Sequence, residues 1–156
     1  MAFRTTLKIR FGHEDHAGIV YFPRFLHFFH CAFEDFFDAQ GHPYKQVLDE
    51  AGFGWPAVHL DVDFQSPLRF GDRFDIDVWV EELGTKSATF AYRGSVAGRL
   101  VATARITVAC IDMQRFRGVP IPEVYRALFE RFREPPAPLD GSSASKKQNL
   151  ESRSII

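Results

Sequence analysis

Apolar and polar residues alternate over the first stretch of the chain: Phe3, Leu7, Ile9 and Phe11 are apolar, with Arg4, Lys8 and Arg10 between them. A period of two predicts a half-buried strand. Gly12 to Gly18 follows as a polar, glycine-bounded loop holding His13, Glu14, Asp15 and His16. The period then changes. From Tyr21 to Asp38, Phe22, Phe25, Leu26, Phe29, Phe33, Phe36 and Phe37 recur at helical spacing, while Arg24, His27, Glu34, Asp35 and Asp38 form a narrower polar stripe. Pro23 suits the first turn of a helix, and Gly41 and Pro43 end it. With apolar residues round most of its circumference, this helix is expected to be largely buried.

Four more strands are predicted. Val58, Leu60, Val62 and Phe64 alternate with polar residues, as do Phe74, Ile76, Val78 and Val80, and then Ala88, Phe90, Tyr92 and Val96. Leu100 to Ile111 is more continuously apolar and should lie mid-sheet. Turns fall at Pro67 to Asp72, Gly84 to Lys86 and Gly98–Arg99, the two short ones suiting antiparallel hairpins. A short helix, Glu123 to Phe132, follows Pro122. From Pro135 the chain turns Pro-rich and then Ser/Lys/Gln-rich, without periodicity. Residues 1–134 therefore read as one domain and 135–156 as a disordered tail. The class is α+β, a five-stranded antiparallel sheet wrapped around one long buried helix plus a short C-terminal helix. A helix of about 16 residues spans ~24 Å, enough to fill the concave face of such a sheet.

Composition narrows the function. The 156 residues carry a net charge of -1, against nucleic acid as the main partner, since phosphate binding needs clustered basic charge. No run approaches the ~20 apolar residues that cross a bilayer, and Met1 to Arg10 lacks the apolar core of a signal peptide. Only two cysteines occur, Cys31 and Cys110, each in an apolar segment. A reduced, cytoplasmic protein without membrane partners is expected. The outstanding figure is 17 phenylalanines, clustered early.

The segment Phe11-Gly12-His13-Glu14-Asp15-His16-Ala17-Gly18-Ile19-Val20-Tyr21-Phe22-Pro23 resembles the signature of the 4-hydroxybenzoyl-CoA thioesterase family: an aspartate, two residues, Gly-Ile-Val, an aromatic pair and the helix. Val62 to Asp72, with Pro67-Leu68-Arg69-Phe70-Gly71-Asp72, looks like the family's strand connection, and the resemblance covers most of residues 3 to 132. It implies a hot-dog fold, a homodimer or homotetramer, and hydrolysis of an acyl-CoA to the free acid and CoA. No cofactor is implied, because coenzyme A is part of the substrate. Two positions depart from the family pattern: His13 stands where a second Asp is frequent, and His16 where Pro or Ala is.

Thioester hydrolysis needs a carboxylate that activates water or attacks the carbonyl, and hydrogen-bond donors for the oxygen that becomes negative. Asp15 can supply the first, as general base or nucleophile. The N-terminus of the helix, whose first N–H groups lack intrahelical acceptors, can supply the second. By resemblance that donor is the backbone N–H of Phe22, and Gly18 permits the close approach of carboxylate and helix. Part of the pocket is expected across a subunit interface. From spacing alone Asp15 serves equally well as a loop hydrogen-bonder; the resemblance favours catalysis. Tyr21, Phe22 and Phe25 near the helix start, with His16, Trp55 and His59, are candidates for the acyl group. They suit a flat aromatic acid such as a benzoyl or hydroxybenzoyl group, and a fatty chain equally. Candidates for CoA are Arg69 and the turn residues Thr85, Lys86 and Ser87; Arg93 reads better as an exposed charge.

A metal site built from His13, His16, His27 and His30 is not expected. His-Glu-Asp-His is not the His-Glu-x-x-His helix motif, and its loop is glycine-bounded. Hydration of an enoyl thioester would need an Asp–His pair on another segment, which is not found. The rival from another class is a non-catalytic acyl-CoA or acyl-carrier binding module of the same fold.

Overall fold

The computed structural model describes residues 1–140. Its strands are β1 (Phe3–Lys8), β2 (Phe53–Gly54), β3 (Ala57–Phe64), β4 (Arg73–Leu83), β5 (Ser87–Val96), β6 (Arg99–Ala109), β7 (Ile111–Asp112) and β8 (Arg117–Gly118). The helices are α1 (Arg24–Ala39), α2 (Tyr44–Asp49) and α3 (Glu123–Glu130). Five strands form one antiparallel sheet in the order β1-β4-β5-β6-β3, while β2, β7 and β8 make a small second sheet. The expected α+β architecture, with the five-stranded sheet packed on one long helix, is the one observed.

The core follows from facing stripes. In α1, Phe25, Phe28, Phe29, Ala32, Phe33, Phe36 and Phe37 are buried, a run at i, i+3, i+4, i+7 spacing that marks one helix face. On the sheet, Phe74, Ile76, Val78 and Val80 of β4 meet Ala88, Phe90 and Tyr92 of β5 on the same side. Phe36 is the hub: its ring contacts those of Phe3, Phe90, Phe129 and Phe132, joining α1 to β1, β5 and the α3 end. Gly94 of β5 is required by packing, since a Cβ there would lie 2.2 Å from the Phe74 ring.

Four sequence expectations are corrected. The helix starts at Arg24 rather than Tyr21: Val20 and Tyr21 are held to the hairpin by the Glu14–Val20 bridge and the Tyr21 N–H on the His13 carbonyl (3.2 Å), and Arg24, Phe25 and Leu26 bond back only three residues. It buries one face rather than most of its circumference, so Leu26 is exposed. The final apolar run breaks at Cys110, whose N–H turns to the Lys86 carbonyl (2.8 Å), dividing β6 from β7. The fourth correction matters most. Val58, Leu60 and Phe64 of β3 are 62%, 44% and 41% exposed, not half-buried, because β3 is an edge strand and α1 packs over β1 and β4 at the other side. β6 does lie inside the sheet, between β5 and β3.

Arg93 is not an exposed charge. On the outer face Asp77 is 3% exposed and is held by Arg4 (2.7 and 3.0 Å) and by Arg93 (2.8 and 3.1 Å). The third Arg93 nitrogen, Nη1, donates to the Ala137 carbonyl at 2.7 Å, which places part of the 135–140 segment against the sheet. The rest of the tail expected to be disordered, residues 141–156, lies outside the described residues.

Replacing the hub should be costly and replacing an exposed ring should not. Phe36→Ala is expected to lose about 3–5 kcal/mol in chemical denaturation, and Phe22→Ala no more than about 0.5 kcal/mol. Equal losses would show that the hub does not carry the core.

Candidate active site

The Asp15 loop is built as a short hairpin. Glu14 pairs with Val20 in an antiparallel bridge, the Asp15 N–H donates to the Ile19 carbonyl (2.9 Å), and the Gly18 N–H donates to the Asp15 carbonyl (3.0 Å). This is the bonding of a three-residue hairpin loop, whose last residue takes the left-handed conformation. Gly18 does so, at φ 74°. Asp15 contributes its side chain as well: Oδ1 accepts the Ala17 N–H at 2.8 Å, an Asx turn. The second carboxylate oxygen is left open on an exposed residue. Asp15 is thus a loop hydrogen-bonder through one oxygen and available for chemistry through the other.

The other leg of the hairpin leads into α1. Val20 N–H donates to the Leu68 carbonyl (2.7 Å), tying the loop to the Pro67–Asp72 turn, and Tyr21 N–H is taken by His13. The next amide, that of Phe22, has no acceptor among the described residues. The Phe22 side chain is 65% exposed, beside Tyr21 at a ring distance of 5.4 Å. His13 is half-buried, not solvent-facing: its Nδ1 accepts the Arg10 N–H (2.9 Å) and its ring meets that of Phe28 edge-on at 5.0 Å. Burial holds its pKa below 6.5, helped by the charges of Arg24 and Arg10.

No thiol competes with the carboxylate. Cys31 Sγ lies 3.6 Å from His27 Nε2, yet burial first, then Glu34 and Asp35, push its thiol pKa up. Burial pushes the Cys110 thiol up to about 11. Both stay protonated and poorly nucleophilic near neutrality. Among the described residues no group of three or more His, Cys, Asp or Glu side chains is arranged to hold a metal ion.

The sequence profile of the Thioesterase-like superfamily matches residues 9–129. The chain belongs to the thioesterase-like superfamily. A 1,4-dihydroxy-2-naphthoyl-CoA hydrolase of Synechococcus elongatus is 35% identical over 116 residues, which are 74% of this chain and 85% of that protein. A solved gentisyl-coenzyme A thioesterase superposes with a TM-score of 0.75 at 28% identity, over 81% of this chain and 99% of its own. A 1,4-dihydroxy-2-naphthoyl-CoA thioesterase from Synechocystis superposes with a TM-score of 0.77 over 86% and 100% of the two chains; at 24% identity it speaks for the fold alone. The protein is a thioester hydrolase with the hot-dog fold.

In this thioesterase the remaining expected residues are dispersed. His16 is exposed at the tip of the Asp15 loop. Phe25 is buried, its ring edge-on to Phe64 (5.1 Å) and Phe74 (5.9 Å), so it forms the floor beneath the loop rather than a free stacking surface. Trp55 is not near Asp15 at all. It is buried against Phe37, Tyr125 and Phe129, beside the C-terminal end of α1. His59 pairs in register with Thr107 and so faces away from α1, where Nε2 lies 3.2 Å from Asp61. Arg69 sits in the turn next to the Asp15 hairpin, its N–H on Asp72 Oδ2 (2.8 Å) and its guanidinium without a partner among the described residues. Thr85, Lys86 and Ser87 form the β4–β5 turn at the other end of β4, whose 11 residues separate them from Arg69 by roughly 35 Å. The residues that sequence reasoning missed are Leu60 and Phe64 as an uncovered apolar margin on the helix side of the sheet; the signal was their place on the last strand of the sheet order, which no periodicity reveals.

The left-handed residue is the sensitive point of the hairpin. Gly18→Ala should cost about 1–2 kcal/mol in the loop and lower kcat about tenfold by misplacing Asp15. Thiol release assayed on folded protein checks this; unchanged turnover would separate the turn from the chemistry.

Proposed function

We propose that this acyl-CoA thioesterase hydrolyses the CoA thioester of an aromatic acid, with 1,4-dihydroxy-2-naphthoyl-CoA the first candidate, to the free acid and CoA. The observation that carries this reading is the pairing, at one hairpin, of a carboxylate oxygen left open on Asp15 with the unbonded amide of Phe22. In the reaction, Asp15 draws the proton from water as the water oxygen attacks the thioester carbon, or attacks that carbon itself and is then released by water. The Phe22 N–H donates to the carbonyl oxygen as it gains negative charge, and the CoA sulfur leaves with the electron pair of the broken C–S bond. Gly18 sets the hairpin that presents the carboxylate. Tyr21, Phe22 and Phe64 offer exposed ring surface to a flat acyl group. Relatives that act on naphthoyl and gentisyl thioesters support an aromatic acyl group over a fatty one.

The reading also requires a second copy of the chain. β3 carries Val58, Leu60 and Phe64 exposed at a sheet edge whose backbone is unpaired on one side. Pairing two β3 edges about a two-fold axis runs them antiparallel. The Phe64 end of one strand, beside Phe25 and the helix start, then meets the Ala57 end of the other. Ala88 is level with Val108 and Ala57 in the ladder, so the partner's Thr85–Ser87 turn, which directly precedes it, is carried toward the first copy's Asp15. Arg69 from one copy and Lys86 from the other can then share one CoA, which a single chain forbids. A homodimer is the least assembly that does this.

Asp15→Asn keeps an acceptor for the Ala17 N–H but removes the base, so kcat should fall about 10²–10⁴-fold without loss of fold. Near-normal turnover would rule out the carboxylate, and binding of acyl-CoA with no thiol released by the native chain would favour a non-catalytic binding module. Leu60→Asp should yield monomers in sedimentation and abolish most turnover; an active monomer would refute the shared site.

A further inference from the structure

The loop residues so far given a role are Asp15, Gly18 and the Phe22 amide, yet the bonds that hold them converge on a fourth. His13 accepts the Arg10 N–H through Nδ1 (2.9 Å) while its own N–H donates to the Arg10 carbonyl (3.0 Å), closing residues 10–13 into one ring. Its carbonyl takes the Tyr21 N–H (3.2 Å). Beyond that bond, on one side, lies the Glu14–Val20 bridge and the Asp15 turn; on the other side lies the amide of Phe22. One residue therefore anchors both legs of the hairpin and decides which amide at the entrance to α1 is bonded and which is free. Its ring is seated on Phe28 of α1, so loop and helix are held to each other through the same side chain.

We propose that His13, in its neutral form, is a positioning residue for thioester hydrolysis, its imidazole and carbonyl holding the Asp15 carboxylate and the Phe22 amide in register. This rests on the assignment of those two groups to the reaction. The chemistry of the imidazole makes the hold conditional. With Nδ1 as acceptor the neutral ring carries its hydrogen on Nε2; protonation puts a second hydrogen on Nδ1, facing the Arg10 N–H, and the bond is lost. The charged groups acting on the ring are Arg24 and His27 from α1 and Arg10 from its own turn, all disfavouring the imidazolium, and the packed face is the Phe28 ring. Burial and these charges hold the pKa below 6.5. The unfolded chain then binds the proton more readily than the folded one, so the contribution of His13 to stability is present above pH 6.5 and declines as pH falls through the lowered value.

The test compares the native chain, His13→Asn and His13→Ala in full-length form, by thiol release from an aromatic acyl-CoA between pH 5 and 8. Asn places Oδ1 where the imidazole has Nδ1 and does not titrate. The native kcat should decline below pH 6.5, approaching about tenfold per pH unit. His13→Asn should keep kcat within about threefold at pH 8 and lose that part of the decline. His13→Ala should lower kcat about tenfold or more at pH 8 with KM little changed, at temperatures well below its melting point. The proposal is overturned if native and His13→Asn profiles superimpose, if His13→Asn is as slow as His13→Ala, or if His13→Ala melts lower yet turns over normally. Should His13→Ala not fold, the native and Asn profiles decide alone. An active Asp15→Asn would remove the functional reading itself; a failure confined to the His13 variants would leave that reading standing.

Discussion

Everything in this molecule depends on the burial of one phenylalanine stripe by a sheet wider than the helix that carries it. A helix with its side chains is roughly 10–12 Å across, whereas five strands at ~4.8 Å spacing span about 19 Å. α1 cannot cover them all. It lies over β1 and β4, α3 closes the far corner through Phe129 and Tyr125, and the β3 margin stays bare. The exposed Leu60 and Phe64 are consequences of that mismatch in width, and they are exposed beside the start of α1, where the acidic loop enters.

The loop itself works by allocation of amide hydrogens. A helix start has N–H groups without acceptors, and each must be bonded elsewhere or left for a ligand. Here Tyr21 gives its hydrogen to His13, Pro23 has none, and Arg24 bonds back to the Tyr21 carbonyl (2.9 Å). Phe22 alone in this run keeps a free donor among the described residues. The carboxylate is divided in a similar way, with Oδ1 closing the Asx turn and the other oxygen open. Orientation is thereby fixed by local bonds, without a buried charge partner whose desolvation the fold would have to offset.

Much of this was legible from residue order. The change from period two to helical spacing at Tyr21 located the strand, loop and helix, and the family resemblance, rather than spacing, pointed to Asp15, Gly18 and Phe22, which lie in and beside the hairpin. What could not be read has physical causes. α2 and the two-residue strands β2, β7 and β8 are too short for any period to show. The helix start moved to Arg24 because Val20 and Tyr21 are paired into the hairpin with residues six and eight positions earlier. Trp55 and His59 looked like pocket residues only because sequence cannot tell which end of a helix, or which face of a strand, a side chain will meet. Arg93 looked like solvent charge because its partner Asp77 lies across a strand pair, sixteen residues away. His13 is bonded three residues back and packed on the Phe28 ring: its proposed role lies in the acceptor state of one nitrogen, which residue type alone does not specify.

With Arg69 beside the Asp15 hairpin and Lys86 at the opposite end of an 11-residue strand, cations suited to phosphates are placed far apart within one chain. A thioester must reach Asp15 with its carbonyl while its phosphates meet positive charge, so a single copy would use only the Arg69 end. The bare β3 margin resolves the difficulty in the same stroke as it covers Leu60 and Phe64, because a two-fold axis exchanges the ends of the strands it pairs. The width mismatch that leaves β3 exposed and the strand length that separates Arg69 from Lys86 thus support the same proposed partner, a second copy of this chain.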